Sequence, residues 1–255
     1  MRNLHKSTII TIESHVTSLF KALGSIDEIK TNQVSKSFKL KDGGWIYEIN
    51  NIVIDLPTER VRQIRNLKPI GRINAIKIYI RVYAEGCGET WSNLESKGYK
   101  YGQRYVFDKL NFNVKIIGFP KDTSDNFEEY VSGFHIDMVT DKDREGFDSS
   151  SLVHPLHHVQ FGFKEDKEDN FGRMMLMNTP RLIHPPLDII LGIDYILSNF
   201  ATDLQKKLRS NPNYLNLLRK YQKIIWKPYF ESIATFWDAK NGVINSQNIF
   251  PQLYK

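Results

Sequence analysis

Between residues 76 and 83 apolar and polar positions alternate without a break: Ile76, Ile78, Ile80 and Val82 interleave with Lys77, Tyr79, Arg81 and Tyr83. A period of two is the pattern of a half-buried strand, here with one aliphatic face and one cationic and aromatic face. "YVFDKLNFNVKIIGF" and "EEYVSGFHIDMVT" continue in the same style, and "HHVQFGF" and "GRMMLMN" predict two further strands joined by the charged "KEDKEDN". Upstream, "GGWIYEINNIVIDLP" reads as a strand entered from Gly43 and Gly44 and closed by Pro57, although its apolar middle also fits a helix. "EGCGETWSNLESKGYKYGQ", rich in Gly and polar residues, predicts a loop or a lid.

Towards both ends the period becomes 3.6. Ile9, Ile12, Val16, Leu19, Phe20 and Leu23 fall on one helical face, with Ser7 as N-cap and Gly24 as stop, and "TERVRQIRNL" predicts a short basic helix before Pro69. "PPLDIILGIDYILSNFATDLQKKL" opens on Pro185 and Pro186, has Asp188 in its first turn, and ends on Lys206, Lys207 and Arg209, placements that suit helix geometry and the macrodipole. Asn211 and Pro212 break it, and "NYLNLLRKYQKIIWKPYFESIATFW" forms another helix with a bend expected at Pro228. Strands grouped together with helices at the ends predict an α+β fold: an N-terminal helix, a mostly antiparallel sheet of five or six strands, and two long C-terminal helices. One domain over 1–255 is expected, with 205–255 as a candidate helical appendage.

Composition narrows the setting. With 255 residues, 41% of them hydrophobic, the chain can bury a sizeable core. Its single cysteine, Cys87, excludes a disulfide framework and any zinc site of paired thiolates, which points to a reducing, cytoplasmic compartment. Glu13, Ser14 and His15 interrupt the N-terminal apolar residues, so no secretory signal is expected, and no apolar run reaches the length of a membrane span. The net charge of +6 is modest but segregated. Residues 205–227 carry seven Lys or Arg and no acid, 58–83 carry seven basic residues against one Glu, and 121–148 carry nine acids against three bases. An asymmetric surface follows.

The candidate chemistry lies in "SLVHPLHHVQFG" and "PRLIHPP". Strand alternation sends His157 and His158 to opposite faces, so only one of them can join His154 in a pocket, whereas His135 and Asp137, two apart, share a face. If their strands are neighbours, a His, Asp and His cluster forms. It suits a divalent metal, or metal-free acid–base catalysis by paired imidazoles with Arg181 on a phosphate. It equally suits a structural role, with His154 and His157 on a turn and His158 hydrogen-bonded in the sheet. "HPLHH" lacks the glutamate of H-E-x-x-H, and no motif requires a cofactor. Arg181 and His184 precede a helix N-terminus where an anion could sit, or Arg181 pairs with Asp188 or Asp194 in a proline-bracketed joint. Asp188 and Asp194 lie about 120° apart around a helix and do not converge. In the C-terminal segment, Lys206, Lys207, Arg209, Arg219, Lys220, Lys223 and Lys227 interleave with Tyr214, Tyr221, Trp226 and Tyr229, which fits phosphate contacts with base stacking, or an amphipathic helix with solvated lysines.

"HPLHHVQFG" followed by "PRLIHPPLDIILGIDYILSNF" resembles poorly characterised bacterial proteins linked to phage-defence and toxin–antitoxin loci, over about residues 130–200. The resemblance implies a conflict-system component and action on nucleic acid, and transfers no role to any residue. The expectation is a nucleic-acid-engaging defence or toxin component, with candidate cleavage at His135, Asp137, His154, His157 or His158, Arg181 and His184. The alternatives are a non-catalytic subunit docking a larger protein partner, or a metal-dependent hydrolase of a small molecule.

Overall fold

A computed structural model describes residues 2–42, 44–62, 64, 73–87, 107–121, 129–138, 157–162 and 182–234. Helix α1 (Arg2–Leu23) leads into the short strand β1 (Ile29–Lys30), then β2 (Ser35–Lys41) and β3 (Gly44–Leu56). One helical turn, α2 (Thr58–Val61), precedes the long strands β4 (Ile73–Cys87) and β5 (Lys109–Pro120), followed by β6 (Tyr130–Met138), β7 (His157–Phe161) and β8 (Leu182–Ile183). The chain then turns helical: α3 (Ile189–Phe200), α4 (Thr202–Arg209), α5 (Pro212–Tyr221), a π-helical turn over Gln222–Trp226, and α6 (Lys227–Ala234).

The α+β reading holds, with a larger sheet and more divided helices than the hydrophobic pattern suggested. Eight strands form one sheet in the order β1-β3-β4-β5-β6-β7-β8, with β2 also on β3, and each described pairing is antiparallel. Sequence reading passed over β2, because "SKSFKLK" is mostly exposed and keeps only Phe38 against the core. Of the basic helix expected over 58–67, Thr58–Val61 is helical, residues 63 and 65–67 lie outside the described residues, and Arg60 is held by Glu28 and Asp203. The predicted strand "GRMMLMN" and its hairpin connection lie outside the described residues.

Strand parity explains the layering. Trp45, Tyr47, Ile49, Ile78, Ile80, Val82, Leu110, Phe112, Val114 and Ile136 are buried on one sheet face, where they share a core with Ile12, Val16 and Leu19 of α1 and Ile189, Ile193 and Ile196 of α3. The register of β3 on β4 shifts between Ile49 and Ile52, where Asn51 takes φ 64°. This bulge inserts one residue, so Ile52, Ile54 and Leu56 return to the core face instead of pointing away from it.

The C-terminal helices depart from expectation for local reasons. Helix α3 starts at Ile189, three residues after the proline pair, because Asp188 is its N-cap and accepts from the Leu191 N–H at 3.0 Å. Ala201 (φ −155°, ψ 64°) ends it and lets α4 turn to bury Leu204 and Leu208. Asn211 caps α5 with Pro212 at its first position. Pro228 lacks an N–H and crowds the carbonyl four residues earlier, and the helix widens to a π turn just before it.

Candidate metal centre

The sheet face away from the helices carries Lys77, Tyr79, Arg81, Tyr83 and Glu85 of β4, and Lys109, Asn111, Asn113 and Lys115 of β5, by the same parity that buries their neighbours. Several are tied together: Arg81 donates to Glu48 at 3.0 Å, Glu85 accepts from Lys41 and from the Tyr83 hydroxyl, and Lys109 lies over the Tyr83 ring. Burial and the Glu85 carboxylate push the Tyr83 hydroxyl up to about 12. His135 and Asp137 of β6 and His158 of β7 continue this face, and all three are buried.

Register aligns them. Asn113 stands opposite His135, Asn111 opposite Asp137, and Asp137 opposite His158. One ligand atom each from His135, Asp137 and His158 lies within 4.8 Å of the others. His135 Nδ1 is 3.1 Å from the Gly162 carbonyl oxygen, which can only accept, so Nδ1 carries the proton and donates. In the neutral ring Nε2 then presents a lone pair towards Asp137 Oδ2, 3.6 Å away. Two acceptors at this distance can share a cation, either a second proton on the imidazole or a metal ion.

The surroundings fit a metal. A ligating imidazole usually donates its other N–H to a carbonyl or carboxylate, as His135 does to Gly162. The second oxygen of Asp137, Oδ1, accepts from Asn111 Nδ2 at 2.5 Å, and Asn111 Oδ1 accepts in turn from Asn113 Nδ2. Asp137 Oδ2 lies 3.6 Å from His135 Nε2. Two imidazoles and one carboxylate with further coordination positions suit a divalent transition metal.

Not every predicted site residue joins this cluster. His154 and Arg181 lie outside the described residues. His157 points to the helix face, as alternation requires: it is fully buried, its ring 5.7 Å from that of Tyr229. Burial lowers it from 6.5 to about 3, with His158 and His184 adding to the shift, so it is neutral near pH 7. His184 belongs to the same layer, edge-on to Tyr195 at 5.0 Å with Nδ1 2.6 Å from the Pro185 carbonyl, and burial lowers it too. Neither can reach the cluster, because the sheet stands between.

Asp194 has its partner in Arg209, not in Arg181: Nε at 2.9 Å and Nη2 at 2.5 Å, with Gln205 and the Tyr214 hydroxyl also donating. Arg209 is therefore tied to Asp194 within the fold. Lys220 lies 3.4 Å from His15 Nε2 and Lys227 pairs with Glu231, while Lys206, Lys207, Arg219 and Lys223 are exposed. A cavity of about 410 Å³ lined by Arg60, Phe200, Thr202 and Asp203 has its guanidinium already paired with Asp203 and Glu28.

Asn111, Asn113 and Gly162 were missed by sequence reasoning. The available signal was "LNFNVK", two uncharged amides at period two on a strand whose other face is fully apolar. Comparison of the chain with protein-family models, curated proteins and solved structures finds no match.

Proposed function

We propose that the chain is a divalent-metal-dependent phosphodiesterase acting on nucleic acid, with His135, Asp137 and His158 as the metal ligands. The carrying observation is the convergence of one ligand atom each from His135, Asp137 and His158 within 4.8 Å, with His135 and Asp137 held from behind by the Gly162 carbonyl and the Asn111 amide. A bound divalent cation would supply Lewis-acid polarisation of a phosphoryl oxygen and acidification of water. The chain's own contribution is to hold three ligand atoms in a buried space and to set one tautomer of His135. Lys77, Arg81, Lys109 and Lys115 on the same face, and the net charge of +6, favour an anionic substrate. Exposed Lys206, Lys207, Arg219 and Lys223 are candidate outer phosphate contacts. Membership of a prokaryotic defence or toxin system rests on the resemblance over 130–200.

Calorimetric titration with Zn²⁺ and Mn²⁺, followed by incubation with labelled RNA and DNA with and without metal, tests this reading. One equivalent of metal should bind wild type, and His158→Ala and Asp137→Asn should each bind at least about tenfold more weakly, whereas Lys207→Gln should bind metal normally. Nucleic-acid affinity should fall steeply as salt rises. Absence of stoichiometric metal binding, or of nucleic-acid binding at low salt, refutes it.

A further inference from the structure

The hydrogen-bond chain behind Asp137 has a direction, and its far end is unfinished. An ionised carboxylate only accepts, so Asn111 must turn its NH₂ group to Asp137. Its Oδ1 then faces Asn113, which must also present NH₂. Asn113 Oδ1 is thereby left as a buried acceptor with no hydrogen-bond partner. Flipping Asn111 would break its contact to Asp137, and flipping Asn113 would set two amide oxygens against each other. A buried acceptor without a donor costs stability, and one beside a candidate site is a position that a ligand's donor can complete.

Its location specifies the ligand. Asn113 is directly opposite His135 on one side and Arg81 on the other, so its side chain stands one strand spacing, roughly 4.8 Å, from the metal ligands. A group bound there must bring an O–H or N–H donor about one such step from whatever the metal holds. We infer that Asn113 Oδ1 accepts a hydrogen bond from the ribose 2′-hydroxyl next to the phosphate at the metal, so that the substrate is RNA and not DNA. This deepens the phosphodiesterase reading and rests on it. The 2′-hydroxyl is the donor that distinguishes ribose from deoxyribose. Arg81, one strand further, is half-exposed and paired with Glu48.

The test is fluorescence anisotropy with single-stranded RNA, 2′-O-methyl RNA and DNA 12-mers of one sequence, linked by hydrolysis-resistant phosphorothioates, at saturating Mn²⁺. Wild type should bind RNA about tenfold more tightly than either analogue, since both lack the donor. Asn113→Leu should bind all three at the wild-type DNA level. Equal affinity of wild type for the three, or preserved discrimination in Asn113→Leu, overturns the inference and leaves the phosphodiesterase reading standing. Should Asn113→Leu fail to fold, the wild-type comparison with 2′-O-methyl RNA decides alone. If Mn²⁺ binds stoichiometrically by electron paramagnetic resonance but no oligonucleotide binds, the nucleic-acid reading falls and this inference with it.

Discussion

Gly162 has φ 102°, a region of backbone space that side chains with a Cβ rarely adopt. That conformation does two things at once: its N–H donates to the Gly133 carbonyl at 2.9 Å, and its own carbonyl receives His135 Nδ1. An alanine there meets no steric obstacle, yet would be strained whatever the space, so the backbone should relax and the carbonyl turn away. Gly162→Ala should therefore free the His135 tautomer. Asn111→Leu acts from the opposite side, removing the donor that holds Asp137 Oδ1. Each variant should lose roughly 10- to 100-fold in Zn²⁺ affinity by calorimetry. For Asn111→Leu, melting of the metal-free protein should fall as well, because buried Asp137 Oδ1 loses its donor and Asn113 its acceptor, so the metal titration and not the melt reads the site. A fall in stability with unchanged metal affinity would mean that these residues serve the sheet alone.

At the scale of elements, the sheet and α3 meet where Gly192 faces Phe112. A Cβ built on Gly192 would lie 2.0 Å from Phe112 Cε2, and its three nearest atoms all belong to that ring. Gly192→Ala should destabilise by about 1–3 kcal/mol through overpacking, despite the higher helix propensity of alanine. In Phe112→Leu, with the ring gone, the same change should cost much less, and chemical denaturation of the four proteins measures the coupling. The period of two in β4 and the 3.6 period in α1 were legible because each is set by one face meeting one core. The opposite faces of His157 and His158 followed from alternation alone, as did the shared face of His135 and Asp137. What was hidden required knowing neighbours. The pairing of β6 with β7 converts those parities into a cluster, and the return of the chain along the helix face removes His184 from it. The breaks at Ala201 and before Pro228 answer to burial of Leu204, Leu208 and Ile224, which periodicity does not reveal.

At the scale of the whole molecule, the sheet separates the cluster from a helix layer that buries titratable groups of both kinds. On the helix side, His157 has its pKa lowered to about 3 by burial and His184 is lowered as well, whereas burial raises Asp188 to about 7. The signs oppose. Below about 6.5 an unfolded His157 binds a proton that the folded one refuses, so its contribution to stability is lost as pH falls from 6.5 towards 3. Folded Asp188 keeps a proton up to about 7 that the unfolded chain releases near 3.8, so its contribution is lost as pH rises across that range. Between pH 6.5 and 4.5 these slopes offset one another, and wild type should show a shallow dependence. Asp188→Asn retains an N-cap side chain for α3 but removes the titrating acid. In that variant the histidine slope stands alone, and unfolding free energy should fall by ~2 kcal/mol from pH 6.5 to 4.5, because an unfolded His157 is half protonated at the first pH and almost fully protonated at the second. Urea titrations of both proteins across this window measure the difference, and parallel pH profiles would show that Asp188 is ionised in the folded state throughout.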